Sequence, residues 1–593
     1  MSTAILTGTP VAMSPIEGDL RNLGFEVVTA EDAASLAASL RAAPAADRVA
    51  VVDPCFVGHL HALRLGLIDP RFDASAVPGA VSVRPAARPA LARALAETGD
   101  KVAGEGETLA DRLAGRMEKD GVRVHRPELG VLIATVPADA AGRVSAEAAV
   151  AAVDDEAVRL RSAVKSRDGF FTTFFISPYS RHIARWCARR GLTPNQVTTA
   201  SLLVALVAAG CAATGTRPGF VAAGVLLLTS FVLDCADGQL ARYSLQYSTL
   251  GAWLDATFDR AKEYAYYAGL AVGAARGGDD VWALALGAIL LQTCRHLVDF
   301  AFAESAQDAA TGTGAAALSR KLDRVGWTVW LRRMIVLPIG ERWALIAVLT
   351  AATTPRITFT VLLVASGLAA CYTTAGRVLR SVRGAAPCGD AAARALADLA
   401  DTGPLGEGLA RLFRGRGIPA AALLGAAVMI ATSLLAPVGS PWPPVAAGCY
   451  AVTSALAVSR PLKGALDWIV PPVFRAAEYG TILVLAAVSD VNGALPAAFG
   501  LVAAVAYHHY DTVYRIRGGT GAPPRGLVRA TGGHEGRALL VTAAAAALAH
   551  NVGFTVALTV LAVALAVVVL TESIGFWVSS QAPAVHDETG GPA

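Results

Sequence analysis

Charge is what this sequence has least of. Asp, Glu, Lys and Arg make up 17% of its 593 residues, against about 25% in ordinary soluble domains. The two signs nearly cancel, leaving a formal net charge of +4. With so small an excess, and no compact basic motif interleaved with aromatics, there is no case for a nucleic-acid partner. The eight cysteines (55, 187, 211, 235, 294, 371, 388 and 449) contain no CxxC pair. Neither a zinc site nor a disulfide framework is indicated, and the thiols read as small buried or lipid-facing groups. The first residues lack the basic, apolar, small-residue order of a secretion signal, so the start of the chain is expected in the cytoplasm.

What is abundant is apolar surface: 54% hydrophobic residues and a mean hydropathy of +0.49. The expected fold is a polytopic α-helical membrane protein with an N-terminal soluble α/β domain. Residues 1–153 read as that cytosolic domain, with buried strands near 48–52 and 130–134 and Ala-rich helices near 31–42 and 88–97. Segment 154–192 mixes Arg and Lys with Phe170, Phe171, Phe174, Phe175, Ile176, Ile183 and Trp186, as an amphipathic helix on an anionic membrane surface does. A membrane domain over 193–378 follows, then a basic cytosolic linker over 379–416, a second membrane domain over 417–580 and a tail over 581–593. Twelve apolar stretches lie near 195–214, 219–235, 249–273, 280–302, 342–354, 357–376, 417–437, 443–459, 472–489, 494–510, 537–550 and 553–578. Their length and continuity suit helices rather than barrel strands. Basic connections alternate with ones lacking Lys and Arg: 154–192, the loop holding Arg242, 303–342 (Arg320, Lys321, Arg324, Arg332, Arg333), 377–416, 459–475 and 511–537. This predicts a multi-pass protein of the cell membrane, with both termini and the motif below on the cytoplasmic side.

The chemistry sits in one 26-residue window. Asp234 and Asp237 are three apart, and Asp255 and Asp259 four apart, so each pair shares a helix face. One Asp at mid-bilayer costs about 2.5–3.5 kcal/mol, and four together repel. Hard divalent cations relieve both problems and are readily shared with substrate phosphates. Two such ions could clamp a pyrophosphate. Gly238 and Ala241 leave room for a nucleotide, Gly251 allows close approach to the second helix, and Arg242 can fork onto a phosphate. The plain alternative is an ion network of buried carboxylates with Arg242, Arg260 and Lys262.

The pattern D-x2-D-G-x2-A-R-x8-G-x3-D-x3-D resembles the signature of the CDP-alcohol phosphotransferase family at all eight defined positions. Thr193, Pro194, Asn195, Val197 and Thr198 resemble that family's entry to its first span, and the resemblance covers about 160–378 with six spans. It implies transfer of a phospho-alcohol group from a CDP-alcohol to an acceptor alcohol, with release of CMP. Asp234, Asp237 and Asp255 would be metal ligands for Mg2+ or Mn2+, as two ions. Asp259 would be the general base and also touch a metal. Gly238, Ala241, Arg242, Gly251 and Thr198 would border the nucleotide. The stretch Arg161 to Phe170, Ser180-Arg181 and Gly340 to Arg342 resemble segments of bifunctional enzymes that join a nucleotidyltransferase domain to a synthase of inositol-phosphate diesters. That favours a polar acceptor such as an inositol phosphate, and leaves glycerol phosphate or a diacylglycerol-type lipid open. The N-terminal domain would be a degenerate nucleotidyltransferase-like one, since the run from Ala4 to Pro10 lacks a Gly-rich, Arg-containing phosphate loop. Asp53 reads as a strand-end cap, and His59 and His61 as loop or surface histidines.

The second membrane half echoes the first. Arg260, Glu263 and Tyr264 recur as Arg475, Glu478 and Tyr479; His296 and Asp299 as His509 and Asp511; Glu341 to Ile346 as Glu535 to Leu540. Where the first two motif aspartates would recur, 449–457 has no carboxylate. The expectation is a degenerate six-helix repeat standing where a homodimer partner would sit, an internal pseudo-dimer. Asp467, Arg475, Glu478, His508, His509, Asp511 and Arg515 are expected to form a structural polar network. Two other function classes compete: a transporter or lipid-binding membrane protein with a structural acidic cluster, and a scaffold anchored by its membrane part. Neither needs the eight-position spacing.

Overall fold

The computed structural model describes residues 2–11, 14–98, 107–165, 168–306, 336–383, 387–413, 415–548 and 550–579. Ser166 and Arg167, the basic residues Arg320, Lys321, Arg324, Arg332 and Arg333, and the tail 581–593 lie outside them. The chain divides into two compact units: Met1–Ser166 with Tyr179–Pro194 and Ala236–Ser248, and Arg167–Pro178 with Asn195–Cys235 and Thr249–Ala593.

In the first unit the strands are β1 (Ser2–Leu6), β2 (Phe25–Thr29), β3 (Val49–Val52), β4 (Val57–Gly58), β5 (Ala74–Val77), β6 (Ala80–Val83) and β7 (Ala134–Thr135). Five form a sheet ordered β2-β1-β3-β6-β5. β1 runs parallel to β2 and β3, while β6 is antiparallel to β3 and β5. Val49 to Val52 are all buried, as a strand covered on both faces requires. Helices α1 (Ile16–Asn22), α2 (Ala33–Ala42), α3 (Leu60–Leu67), α4 (Arg88–Thr98), α5 (Leu109–Lys119), α6 (Ala140–Ala151), α7 (Asp155–Ser162) and α8 (Ser177–Arg189) accompany it. The capping box of Asp32 and Ser35 starts α2.

Two readings of this part need correction. The 130–134 stretch is no core strand: only Ala134–Thr135 pairs, with β4 outside the main sheet, and Val131 is exposed. His59 and His61 are buried; His59 Nδ1 accepts the Ile133 amide at 2.8 Å. Their two-residue spacing carries no burial signal, which is why sequence misplaces them. Asp53 does cap its strand, its Oδ1 accepting the Cys55 amide at 2.8 Å.

All twelve apolar stretches are helical: α9 (Pro194–Ala213), α10 (Arg217–Ser244), α11 (Thr249–Arg276), α12 (Trp282–Ala306), α13 (Ile339–Ala352), α14 (Pro355–Arg383) and, after α15 (Asp390–Ala400) and α16 (Pro404–Leu412), α17 (Ala420–Leu435), α18 (Trp442–Val458), α19 (Val470–Val488), α20 (Ala494–Arg517), then α21 (Arg525–Ala530), α22 (Gly533–Leu548) and α23 (Gly553–Ser579). Among the described residues six are long and apolar enough to cross a membrane: α9, α10, α12, α14, α19 with its preceding turn, and α23. Six of the twelve apolar stretches thus meet the length and composition of a span among the described residues. α13, α17, α18 and α22 have 14 to 17 residues, short of the roughly 20 a span needs. α11 and α20 are long but carry several charges. Arg242 also lies inside α10, not in a loop. The amphipathic stretch 154–192 is broken into α7, a wide turn over Thr172–Ile176 and α8; Phe174, Phe175, Tyr179 and Trp186 stay exposed.

Small residues bring the helices of the second unit together. A β-carbon on Gly269 or Gly273 of α11 would collide with the backbone of Ala209 or Ala212 on α9, and one on Gly224 of α10 with the Ala347 carbonyl on α13. Buried ion pairs cross-link them. Glu263 receives Arg260 at 2.6 Å and Arg342 at 3.2 Å. In the later helices, Glu478 receives Arg475 at 2.6 Å and Arg537 at 2.5 Å, with Asp401 on Arg537 at 2.7 Å and His508 at 3.2 Å. Asp511 bonds Arg515, Ser573 and Trp577, and Asp467 pairs with Arg460. The polar residues of the second half thus pair in three separate sets, around Glu478 and Asp401, around Asp511 and Arg515, and at Asp467, where one structural network was expected.

Burial makes one part of the first unit sensitive to acid. Both ring nitrogens of His61 lack a partner. Burial, with Arg159, Arg64 and His59 nearby, pulls its pKa from 6.5 down to about 4. The unfolded chain therefore takes up a proton in a range where the folded chain stays neutral. Stability from this group is complete above about pH 6.5 and is lost as pH falls toward 4, by on the order of 3 kcal/mol. Hydrogen-exchange protection of α3, corrected for intrinsic rates, should fall over that window, and His61→Phe should flatten the fall. An unchanged slope in His61→Phe would assign the acid sensitivity elsewhere.

Candidate active site

The site is built where α10 ends and α11 begins. α10 is wholly apolar for most of its length and then presents Asp234 and Asp237 one turn apart on one continuous helix. Leu245, in the left-handed region at φ 53°, and the bond from the Gln246 amide to the Ala241 carbonyl (3.0 Å) turn the chain back. α11 then carries Gly251 in its first turn, with Asp255, Asp259 and Lys262 on successive turns.

Ligand atoms of Asp234, Asp237 and Asp255 lie within 4.8 Å of one another. Three hard carboxylate oxygens this close suit Mg2+ or Mn2+, so the residues present fit the group the sequence implies. Asp259 is outside that trio. Lys262, fully buried, donates to Asp234 and to Ser201 Oγ of α9 at 3.1 Å, and pairs with Asp259 at 3.1 Å. The sequence names Lys262 only as a member of an alternative ion network; its place between two motif aspartates follows from the helical i, i+3 step from Asp259, a signal that was available. Thr198 is buried on α9.

Within the first unit, the end of α10 is gripped by the segment before and along α8. Arg159 lies 3.6 Å over the Tyr243 ring and its Nε donates to the Tyr243 carbonyl at 2.7 Å. Ser180 donates to Gln239 at 2.8 Å, and Arg242 Nε to the Ala163 carbonyl. Arg242 is thereby oriented through one edge of its guanidinium. Gly238 is not demanded by packing: an added β-carbon would meet only the Arg242 guanidinium, at 3.6 Å. Ala241 is buried.

Comparison with known proteins places similar sequences over these helices. The family model described as CDP-alcohol phosphatidyltransferase matches residues 191–375, and a family of unknown function (DUF5941) matches 390–593. A bifunctional IPC transferase and DIPP synthase from Aquifex aeolicus is 31% identical over 19% of this chain and 26% of its own length. An archaetidylinositol phosphate synthase from Pyrococcus horikoshii is 28% identical over 24% of this chain and 70% of its own. A phosphatidylinositol phosphate synthase from Streptomyces avermitilis is 37% identical over 18% of this chain and 43% of its own. The chain thus spans about a quarter of the bifunctional relative. Residues 191–375 are a CDP-alcohol phosphatidyltransferase family domain.

Proposed function

We propose that the chain transfers a phospho-alcohol group from a CDP-alcohol to an acceptor alcohol and releases CMP. The carboxylate trio of Asp234, Asp237 and Asp255, with Asp259 one turn further along α11, carries this reading. The trio would hold the divalent metal, which supplies charge neutralisation for the donor's diphosphate. Asp259 takes the proton of the acceptor hydroxyl. The acceptor oxygen then bonds to the phosphorus bearing the alcohol, and that phosphorus parts from the oxygen bridging it to CMP. Gly238, Ala241, Arg242, Gly251 and Thr198 border the nucleotide, Gly238 by leaving space and Arg242 by its guanidinium charge.

Two of the three relatives are named as synthases of inositol-phosphate lipids, and this supports an inositol phosphate as acceptor. The basic connections support a cytoplasmic site and cytoplasmic termini in the cell membrane. Residues 1–153, 154–192, 193–378, 379–416 and 417–580 are taken as cytosolic domain, interfacial segment, catalytic membrane domain, linker and second membrane domain. The last is a degenerate copy of the catalytic one. Three matching contacts support this: Arg260–Glu263–Arg342 against Arg475–Glu478–Arg537; Glu341 accepting the Phe171 amide against Glu535 accepting that of Gly406; and Asp299 tied to Arg377 of α14 against Asp511 tied to Ser573 and Trp577 of α23. At the offset that aligns Glu263 with Glu478, Asp255 and Asp259 become Val470 and Phe474. The copy keeps the ion pairs and lacks the chemistry.

Purified chain given Mg2+, a panel of CDP-alcohols and polar or lipid acceptors should release CMP. Asp255→Asn and Asp259→Asn should each lower turnover by about 100- to 10,000-fold, as should chelation of the metal. CMP release retained in both variants would overturn the assignment. Gly238→Ala should leave the thermal midpoint in place while cytidine-nucleotide affinity drops about tenfold, the equivalent of about 1.4 kcal/mol. Unchanged affinity would remove Gly238 from the nucleotide's border.

A further inference from the structure

Lys262 stands out among the buried groups that the proposed reaction leaves without a task. It is 0% exposed and belongs to none of the eight motif positions. Its ammonium has three N–H donors and three oxygen acceptors around it: Asp234, Asp259 and Ser201 Oγ. These come from three helices, α10, α11 and α9. The ammonium is thus held inside the protein by two hydrogen bonds and an ion pair. The seat is also prepared beforehand. Ser201 and Ser230 are both fully buried and each donates its hydroxyl to the other's carbonyl at 2.8 Å, which aims Ser201 Oγ. The Trp343 ring lies 5.8 Å from the ammonium, a favourable face for a cation.

The position of this charge divides the four aspartates. Asp234, Asp237 and Asp255 converge, while Asp259 is engaged by the ammonium. A second divalent ion shared by Asp234 and Asp259 would meet a positive charge already paired with both, in a buried place where like charges repel strongly. The second membrane half offers an internal comparison. At the same offset Asp259 is replaced by Phe474 and Lys262 by Ala477, whereas the structural pair Arg260 and Glu263 persists as Arg475 and Glu478. Lysine and carboxylates are missing together, as expected if the lysine serves the acids and not the packing of α11.

We propose that Lys262 is a built-in cation of the acidic site, taking the place of one of two divalent ions, so that the chain holds a single ion on Asp234, Asp237 and Asp255. This rests on the reading of that trio as a metal centre. Asp259 is then positioned by the lysine instead of by a metal, and Lys262 is a positioning residue.

The test is to count Mn2+ bound to the purified full-length chain in detergent by electron paramagnetic resonance. Wild type should bind one ion per chain. Lys262→Met should bind two, with a signal broadened by spin–spin coupling at saturation, and Lys262→Arg should restore one. Two ions on wild type would overturn the proposal without needing any variant to fold. So would a folded Lys262→Met that still binds one. Asp255→Asn separates the two claims: loss of the single ion supports the trio as its seat. No ion on wild type would instead remove the metal centre itself.

Discussion

Acidic side chains placed among apolar helices have to be answered by positive charge. Each of Asp234, Asp237, Asp255 and Asp259 is costly in a setting of low dielectric, and together they repel. The arrangement around them follows from that constraint. Gly269 and Gly273 let α11 press onto α9, Gly224 lets α10 approach α13, and the Ser201–Ser230 pair sets the hydroxyl that receives Lys262. Close packing thereby places one fixed cation against two of the acids, while three carboxylates converge; on the proposed function these would take a divalent ion.

If the second membrane half is the degenerate copy proposed above, the two halves separate what packing needs from what chemistry needs. Arg260 with Glu263 and Arg475 with Glu478 perform the same cross-linking, each glutamate joining its own helix to an arginine on a later one. Such fully paired charges are hard to lose singly, because removing one partner strands the other in a buried place. The motif acids and Lys262 have no counterparts at the matching offset. Phe474, which that offset aligns with Asp259, stacks on His534 at 4.2 Å.

Much of this was legible in the sequence, and the exceptions have physical causes. The eight-position motif marks the site because its spacing matches two helical faces. The helices are legible because apolar runs are continuous. Their number as membrane spans was not, because a run of 14 to 17 residues reads as apolar without reaching across a bilayer. The sequence also could not place the buried His59 and His61; His59 meets the Ile133 amide and the Val150 carbonyl, more than 70 residues along the chain. Asp401 was missed outright. It lies in a linker that reads as polar, yet it is buried against Arg537, Arg475 and His508, partners more than 70 residues away. Long-range pairing of this sort leaves no local pattern to find.

The central claim is that the trio of aspartates seats a divalent ion beside a cytidine nucleotide. Anomalous diffraction from crystals grown with Mn2+ and CDP tests it directly. The account predicts a manganese peak bounded by Asp234, Asp237 and Asp255, with the diphosphate against it and Lys262 still on Asp259. Nucleotide density with no manganese at those three carboxylates would contradict it.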